Sequence, residues 1–410
     1  MPENSPPQKC SVAIVGGGTS GLALATELTR LGVKDVVILE RENTAGGVPR
    51  HCGHHGFGIR EFKRLMTGPD YARALVKKAK MAGVGICTSV TVTALHPGGR
   101  LSLSTPDGSA ELQADRVVLC TGVRESSRAQ RLIGGQRPQG VLSTGALQSM
   151  VYLQGKRPFR RPVILGTELV SFSAIMTCRH LGIKPVAMVE ENNRVTVRQI
   201  MRPYPALMGV PVVFGASDVR VIGGHQVEAV DYLDKAGTRQ MIAADGVIVS
   251  GDFRPESALL RMSHIDVDPA SCGPSIDQYG RCSDPAYFCT GNLLRPVETS
   301  AWCWREAVET AARVALDLQA RNDSSAPSVP LSLAHPALKL VVPQRLTDSA
   351  NAGAMTQMQI RLQHPYKGTL IARSGNETLW RKHINSRPER RILAPLPHSE
   401  SGAPIELTLT

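Results

Sequence analysis

Six consecutive residues, Gly16-Gly17-Gly18-Thr19-Ser20-Gly21, fit the pattern G-x-G-x-x-G, and an acidic side chain, Glu40, ends the next apolar run. Each part has a chemical use. Glycine at 16 permits a tight turn, glycine at 18 lets a diphosphate approach the backbone, and glycine at 21 lets a helix pack closely on its strand. The helix N-terminus offers N–H donors and positive potential, and the Glu40 carboxylate can accept ribose hydroxyls. The combination points to dinucleotide binding; the glycine pattern by itself also suits a purely structural turn. A second group, Arg50, His51, Cys52, His54 and His55, joins an anion-fixing guanidinium to imidazoles that exchange protons near neutral pH. Arg50, His51 and Cys52 are the catalytic candidates of this chain, and the alternative is that they line a cofactor ring or a subunit contact. No carboxylate completes the set, so no metal site is expected.

These residues need elements to hold them. Residues 11–15 are a short apolar strand running straight into the glycine turn, an amphipathic helix follows over 20–31, and 35–39 is a second strand ending on Glu40. Alternating stretches at 90–95, 100–104 and 110–113 read as an antiparallel meander, and 114–122 closes the unit. The same order then recurs, with strand 162–165, a turn at Gly166, helix 170–181, strand 186–189, meander strands 218–222, 227–233 and 239–243, and a closing strand over 244–251. This repeat predicts an α/β fold of two Rossmann-like dinucleotide-binding domains, the second inserted in the first. The second turn differs from the first: Gly166-Thr167-Glu168-Leu169-Val170-Ser171 lacks glycine at its second and third key positions, and Glu168 puts a carboxylate where a diphosphate would lie. Beyond Asn322 a Ser/Pro-rich stretch, 323–330, reads as a linker. Period-two alternation at 339–342, 358–362, 368–373 and 378–384, with a turn at Gly375-Asn376, then predicts a small C-terminal all-β domain. The expected domains are 10–125 with 270–320, 126–269, and 331–410.

Composition narrows the partners. At 410 residues the chain exceeds what one hydrophobic core supports. The formal charge of +12 raises nucleic-acid binding, but the basic residues are dispersed and aromatics make up only 4% of the chain, too few to stack bases among them. An acidic protein or an anionic membrane surface suits that charge better. The first nine residues hold no apolar signal core, and nowhere do about 18 uncharged apolar residues run together, which is the length of a membrane span. The expectation is a cytoplasmic protein without a span, with peripheral attachment at the inner membrane face as the alternative. Nine cysteines, odd in number and never spaced C-x-x-C, argue against a disulfide framework and against a zinc or iron–sulfur site within the chain.

The glycine turn, Glu40, Ala45-Gly46-Gly47, Thr121-Gly122-Val123-Arg124-Glu125 and Cys289-Thr290-Gly291-Asn292 together resemble the pyridine-nucleotide–disulfide-oxidoreductase-like flavoproteins over residues 10–320. More narrowly, residues 47–52 (GVPRHC), 55–58 (HGFG) and 291–299 (GNLLRPVET) are similar to the α- or B-type flavoprotein subunits of hydrogen cyanide synthase and of opine, proline and hydroxyproline dehydrogenases. The resemblance implies FAD, held by Gly16, Gly18, Thr19, Ser20, Gly21, Glu40, Arg41, Gly47, Val48, Val92, Thr121 and Gly122, with the ribitol and flavin end against Gly291, Asn292, Glu298 and Thr299. It further implies an amino-acid-oxidase-like FAD subunit and a small [2Fe-2S] subunit as partners. Three departures stand out: Cys52 has no partner for dithiol chemistry, Asn292 replaces the family's usual aspartate, and no cysteine follows Cys303 to ligate a cluster. The expected function is an FAD-binding subunit of a heteromeric dehydrogenase acting on a small amine or amino acid. A stand-alone NAD(P)H-dependent flavin oxidoreductase and a scaffold with a structural FAD are the alternatives.

Overall fold

The computed structural model describes residues 5–320, 328–347, 353–398 and 403–410. The chain divides into two compact units, one formed by Met1–Gly47, Ala72–Val123 and Pro255–Thr410, the other by Val48–Tyr71 and Arg124–Arg254. The fold is α/β with two Rossmann-like sheets and a strand-rich C-terminal region.

In the first unit, β-branched runs form a parallel core in the order Gly85–Thr88, Val36–Glu40, Lys9–Val15, Gly108–Leu119, with Tyr287–Cys289 beyond. Val12 pairs with Val36 on one side and Ala13 with Val117 on the other, and all four are buried. Strands walled on both faces bury nearly every side chain, which is why they read as unbroken apolar runs. The meander Thr91–His96 and Arg100–Thr105 leads into Gly108–Leu119 without a break, so the predicted third meander strand and closing strand are one strand of 12 residues. Its first half pairs antiparallel within the meander, and its second half joins the parallel sheet. The Thr19–Arg30 helix packs against the long Ser300–Ala320 helix.

Of the predicted linker, residues 323–327 lie outside the described residues, whereas Ser328–Leu333 is a strand. This corrects the linker reading, which took two prolines as breakers; Pro330 sits in a strand that pairs with Arg345–Thr347 and Ile405–Leu409. The C-terminal strands form a five-stranded sheet, ordered Arg345–Thr347, Ser328–Leu333, Ile405–Leu409, Tyr366–Ser374, Glu377–Ser386. A three-stranded sheet holds Leu338–Val342, Gln357–Leu362 and Ile392–Pro395. Leu340 and Val342 lie in the same buried cluster as Val15, Leu39 and Leu119, so this region shares a core with the first glycine unit.

The second unit carries a five-stranded parallel sheet, ordered Val141–Ser143, Gly246–Val249, Pro162–Leu165, Ala187–Glu190, Val212–Phe214. Beside it lies a four-stranded sheet that includes the meander Ser217–Ile222, Ala229–Leu233, Arg239–Ala243. The Leu169–His180 helix covers the parallel sheet through Phe172, Ile175 and Cys178.

Candidate functional site

The first glycine turn is built from backbone contacts that side chains would break. Gly16 has φ +107, and a Cβ there would lie 2.7 Å from the Cys120 carbonyl oxygen. A Cβ on Gly21 would lie 2.0 Å from the Gly16 carbonyl oxygen, so the Thr19–Arg30 helix starts directly on the turn. Gly47 packs as closely from the other side, where its Cβ would lie 2.7 Å from the Gly18 Cα, and Gly46 N donates to Gly17 O at 2.7 Å. Gly18 is the exception. A Cβ on it would meet only the Gly47 Cα, at 3.8 Å, so the space above Gly18 is open to a ligand. Gly18 is also the N-cap and has no side chain to satisfy the first helical N–H groups, which leaves donors and positive potential facing that space. The cradle and the donor set fit the diphosphate of a dinucleotide.

Glu40 is 7% exposed. Its Oε2 accepts from Gly17 N and its Oε1 from Glu42 N, each at 2.9 Å, so the carboxylate braces the turn and keeps one further lone pair on each oxygen. Thr19 and Ser20 are buried at the helix start, Arg41 is exposed, and Val92 is a buried core residue of the meander. Thr121 Oγ1 donates to Glu256 O at 2.8 Å, and the Gly122 carbonyl accepts from Glu256 N at 2.9 Å.

Gly291, at φ +75, comes to the same place from the far end of the sequence, since its Cβ would lie 2.2 Å from Ser20 Oγ. Its peptide is held on both sides by a buried ion pair that sequence reasoning missed. Gly291 N donates to Glu306 Oε2 at 3.0 Å, Arg295 Nη1 donates to Gly291 O at 2.7 Å, and Arg295 Nη2 bridges to Glu306 Oε1 at 2.8 Å. Gln359, from the C-terminal sheets, bonds both members. Asn292 accepts from Glu298 N at 2.7 Å and donates to Glu298 O at 3.1 Å, so its amide closes the loop before the long helix. The Glu298 carboxylate is taken by two arginines of the C-terminal region, Arg361 and Arg391, each at 2.5 Å. The Arg391 guanidinium also lies over the Trp302 ring, 3.4 Å from its centroid. Thr299 accepts through its carbonyl from Trp302 N and Cys303 N, each at 3.0 Å, and so opens the Ser300–Ala320 helix.

Within the second unit, Val48 is 55% exposed and Arg50 and His51 end a single turn of helix. Cys52 is buried, donates to Gln148 Oε1 at 3.5 Å, and burial with the nearby Glu125 carboxylate pushes its thiol up to about 12. It is therefore a thiol at neutral pH and no nucleophile. Cys282 and Cys289 of the first unit bring their sulfurs within 3.6 Å of each other, a proximity not visible in the sequence. Both are buried free thiols, and burial with the hydrogen bond to Cys282 holds the Cys289 thiol well above the usual range, which makes Cys289 a poor nucleophile. No cluster that could hold a metal occurs among the described residues.

The second glycine turn is filled by its own side chains. Glu168 lies against Gly251, where a Cβ would be 2.4 Å from the carboxyl carbon, and its Oε1 accepts from Asp252 N at 2.8 Å. Burial raises its carboxyl above the ordinary value. Glu190 accepts from the Thr167 hydroxyl and, at 2.9 and 2.6 Å, from the backbone and side-chain amides of Asn192. Ser171 replaces the third glycine. Its hydroxyl oxygen stands 3.6 Å from an ideal Cβ on Gly166. The small cavity that remains, about 280 Å³, is lined by Glu168, Glu190, Glu191 and Asp252, with Arg131 as the one cation among the described residues that line it. Arg131 comes from outside the turn and already donates to the Ser250 carbonyl at 2.8 Å.

Residues 10–312, which hold both glycine turns with their sheets and meanders, match the family described as pyridine nucleotide-disulphide oxidoreductase. The chain belongs to that family. It is an FAD-dependent oxidoreductase. An opine oxidase subunit of Agrobacterium tumefaciens (strain Ach5) is 22% identical over 310 residues, covering 68% of this chain and 60% of that protein. Hydrogen cyanide synthase subunit HcnB of Pseudomonas protegens is 23% identical over 313 residues, covering 68% and 65%. The flavoprotein thus spans less than two thirds of either curated relative. Among solved structures, thioredoxin reductase of T. acidophilum superposes with a TM-score of 0.63 at 22% identity, covering 77% of this chain and 99% of the other, which establishes the fold.

Proposed function

We propose that this flavoprotein is the FAD-carrying subunit of a heteromeric dehydrogenase that oxidises a small amine or amino acid, with electrons passing between its flavin and cofactors on partner subunits. The observation that carries this reading is the second glycine turn. With Glu168 over Gly251 and Ser171 in place of the third glycine, the usual seat for a nicotinamide dinucleotide is taken up by the protein itself. Reducing equivalents then need another source. Two curated relatives are, by name, subunits of an opine oxidase and of hydrogen cyanide synthase. On that pattern the partners are an amino-acid-oxidase-like FAD subunit, which meets the substrate, and a small [2Fe-2S] subunit.

The residues proposed to hold FAD follow the first turn. Gly16, Gly18, Thr19, Ser20, Gly21 and Gly47 receive the diphosphate, and Glu40 and Arg41 the ribose. Val48, Val92, Thr121 and Gly122 are the further residues proposed to contact the cofactor, whose ribitol and flavin end lies against Gly291, Asn292, Glu298 and Thr299. When bound, FAD supplies the capacity to take two electrons with a hydride and to release them singly. The protein's own part is positional, since Arg295 and Glu306 fix the Gly291 peptide and Glu40 fixes the turn. Residues 10–125 with 270–320, 126–269 and 331–410 are the corresponding proposed domains.

The test is to purify the tagged chain from its own host, identify the polypeptides that accompany it, and assay them for iron and acid-labile sulfide. The complex is then mixed anaerobically with amino acids while the flavin absorbance is followed. Bleaching by an amino acid supports the proposal. Bleaching by NADH or NADPH alone would favour the stand-alone reductase, and a flavin that nothing reduces would favour the scaffold.

A further inference from the structure

Isolated exposed apolar side chains are ordinary on any protein surface. The second unit carries something more specific. Between Glu191 and Asp218 the chain has no acidic residue, yet it holds Arg194, Arg198 and Arg202. Within that stretch, Ile200 is 85% exposed and Leu207 75% exposed. The loop bearing them is anchored rather than loose. Val197 and Val210 are buried at its two ends, Pro205 is buried at its centre, and Tyr204 stacks on Phe172 of the underlying helix, with centroids 5.9 Å apart. Two short turns, Gln199–Met201 and Tyr204–Leu207, close through backbone bonds from Arg202 N to Gln199 O at 3.0 Å and from Met208 N to Tyr204 O at 3.0 Å. Ile200 and Leu207 thus each project from a turn, on either side of the buried Pro205, with Arg198 and Arg202 exposed beside Ile200.

Apolar tips set among arginines, in a stretch with no acidic residue of its own, match one kind of surface: an anionic bilayer, whose headgroups attract the cations while the tips enter the acyl boundary. We infer that the 198–207 loop docks this protein on anionic membranes, as a peripheral contact. No helix among the described residues is long and apolar enough to span one, so the attachment invoked is of the surface kind. The inference does not depend on the substrate or on which partners the flavoprotein has.

The probe is a set of large unilamellar vesicles, either pure phosphatidylcholine or phosphatidylcholine with phosphatidylglycerol at about three in ten, in a sedimentation assay with the FAD-loaded chain. Binding is expected to the mixed vesicles alone and to be lost in high salt. Arg198→Ser with Arg202→Ser should weaken it about thirtyfold, at roughly fivefold per cation near a charged surface. Ile200→Ser with Leu207→Ser should weaken it by about tenfold or more for each side chain. Flavin content and far-ultraviolet dichroism should be unchanged in both variants, because these side chains make no buried contact. A control with the same loss of charge elsewhere, Arg381→Ser with Lys382→Ser, should leave binding intact. The inference is overturned if the mixed vesicles do not pull the protein down, or if the control lowers binding as much as the loop variants do. It is equally overturned if the loop variants abolish a self-association seen by sedimentation velocity while vesicle binding persists, which would make the loop a contact between copies of the chain.

Discussion

Gly18→Val separates the demands of the fold from those of the cofactor. The Gly18 backbone, at φ −81 and ψ −167, is extended, a conformation that valine adopts readily. Its Cβ would find no protein atom nearer than the Gly47 Cα at 3.8 Å, an ordinary contact. The apoprotein should therefore melt within about 0.5 kcal/mol of the native chain, as surface substitutions usually do. The branched side chain would instead fill the space proposed for the diphosphate and displace it from the uncapped helical amides. Losing two charge-assisted hydrogen bonds, at about 1.5–3 kcal/mol each, costs roughly 3–6 kcal/mol, or two to four powers of ten in Kd. Gly21→Ala is the contrasting case. Its Cβ would lie 2.0 Å from the Gly16 carbonyl oxygen, so the helix must back away by about an ångström, at an overpacking cost of roughly 1–3 kcal/mol to the apoprotein itself. The assay is flavin retained after gel filtration, read at the visible flavin band, together with melting of FAD-stripped protein. If Gly18→Val keeps full flavin at unchanged affinity, the diphosphate does not lie over this turn and the site assignment fails.

Three further outcomes are expected. Mixed anaerobically with NADH or NADPH at about 100 μM, the flavin band should persist for minutes, because two like charges about 4 Å apart in a partly solvated site repel by roughly 4 kcal/mol; rapid bleaching would refute this. Glu168 has a folded-state pKa raised by burial above the ordinary 4.5, so its contribution to stability is complete below that value and is lost as pH rises through the raised one. Glu168→Gln should accordingly raise the melting temperature relative to the native chain at a pH of about 8 and not at about 4, and an equal shift at both would contradict the burial argument. Glu298→Ala leaves Arg361, whose side chain is 9% exposed, with only the Glu389 and Val297 carbonyls and no counter-charge, and should destabilise the protein by about 3–5 kcal/mol in urea unfolding; a loss under 1 kcal/mol would show that the carbonyls suffice to hold the buried cation.

What the sequence disclosed was whatever is local. The first turn could be read because the strand, the three glycines, the helix and Glu40 fall within about thirty residues, each with a type its position requires. The departures of the second turn were visible for the same reason, but Arg131 was not, since only the folded chain brings it beside Glu168. Glu298 with Arg361 and Arg391 are long-range pairs, and Arg295 with Glu306, though 11 residues apart, meet only because the intervening loop folds back on the helix; an arginine carries no mark of the carboxylate it will meet. The break placed between residues 113 and 114 came from a change in pattern: one strand is half-exposed in the meander and buried on both faces in the parallel sheet. Prolines hid two strands, Ser328–Leu333 and Ile392–Pro395. Ile405–Leu409 was legible, since Ile405, Leu407 and Leu409 alternate with polar residues and are all buried, yet it was not singled out.

That strand bears on how the protein is made. Ile405–Leu409 lies in the middle of its five-stranded sheet, between Ser328–Leu333 and Tyr366–Ser374. On the ribosome, at about 5–20 residues per second, Leu331 waits several seconds for Ile405 to be synthesised and emerge. During that interval both neighbouring strands show unpaired edges, the kind that template aggregation. A message truncated anywhere before codon 405 would leave them so permanently. Because Leu340 and Val342 also belong to the core around the first glycine turn, such a product would be marked for disposal whatever its ability to hold flavin.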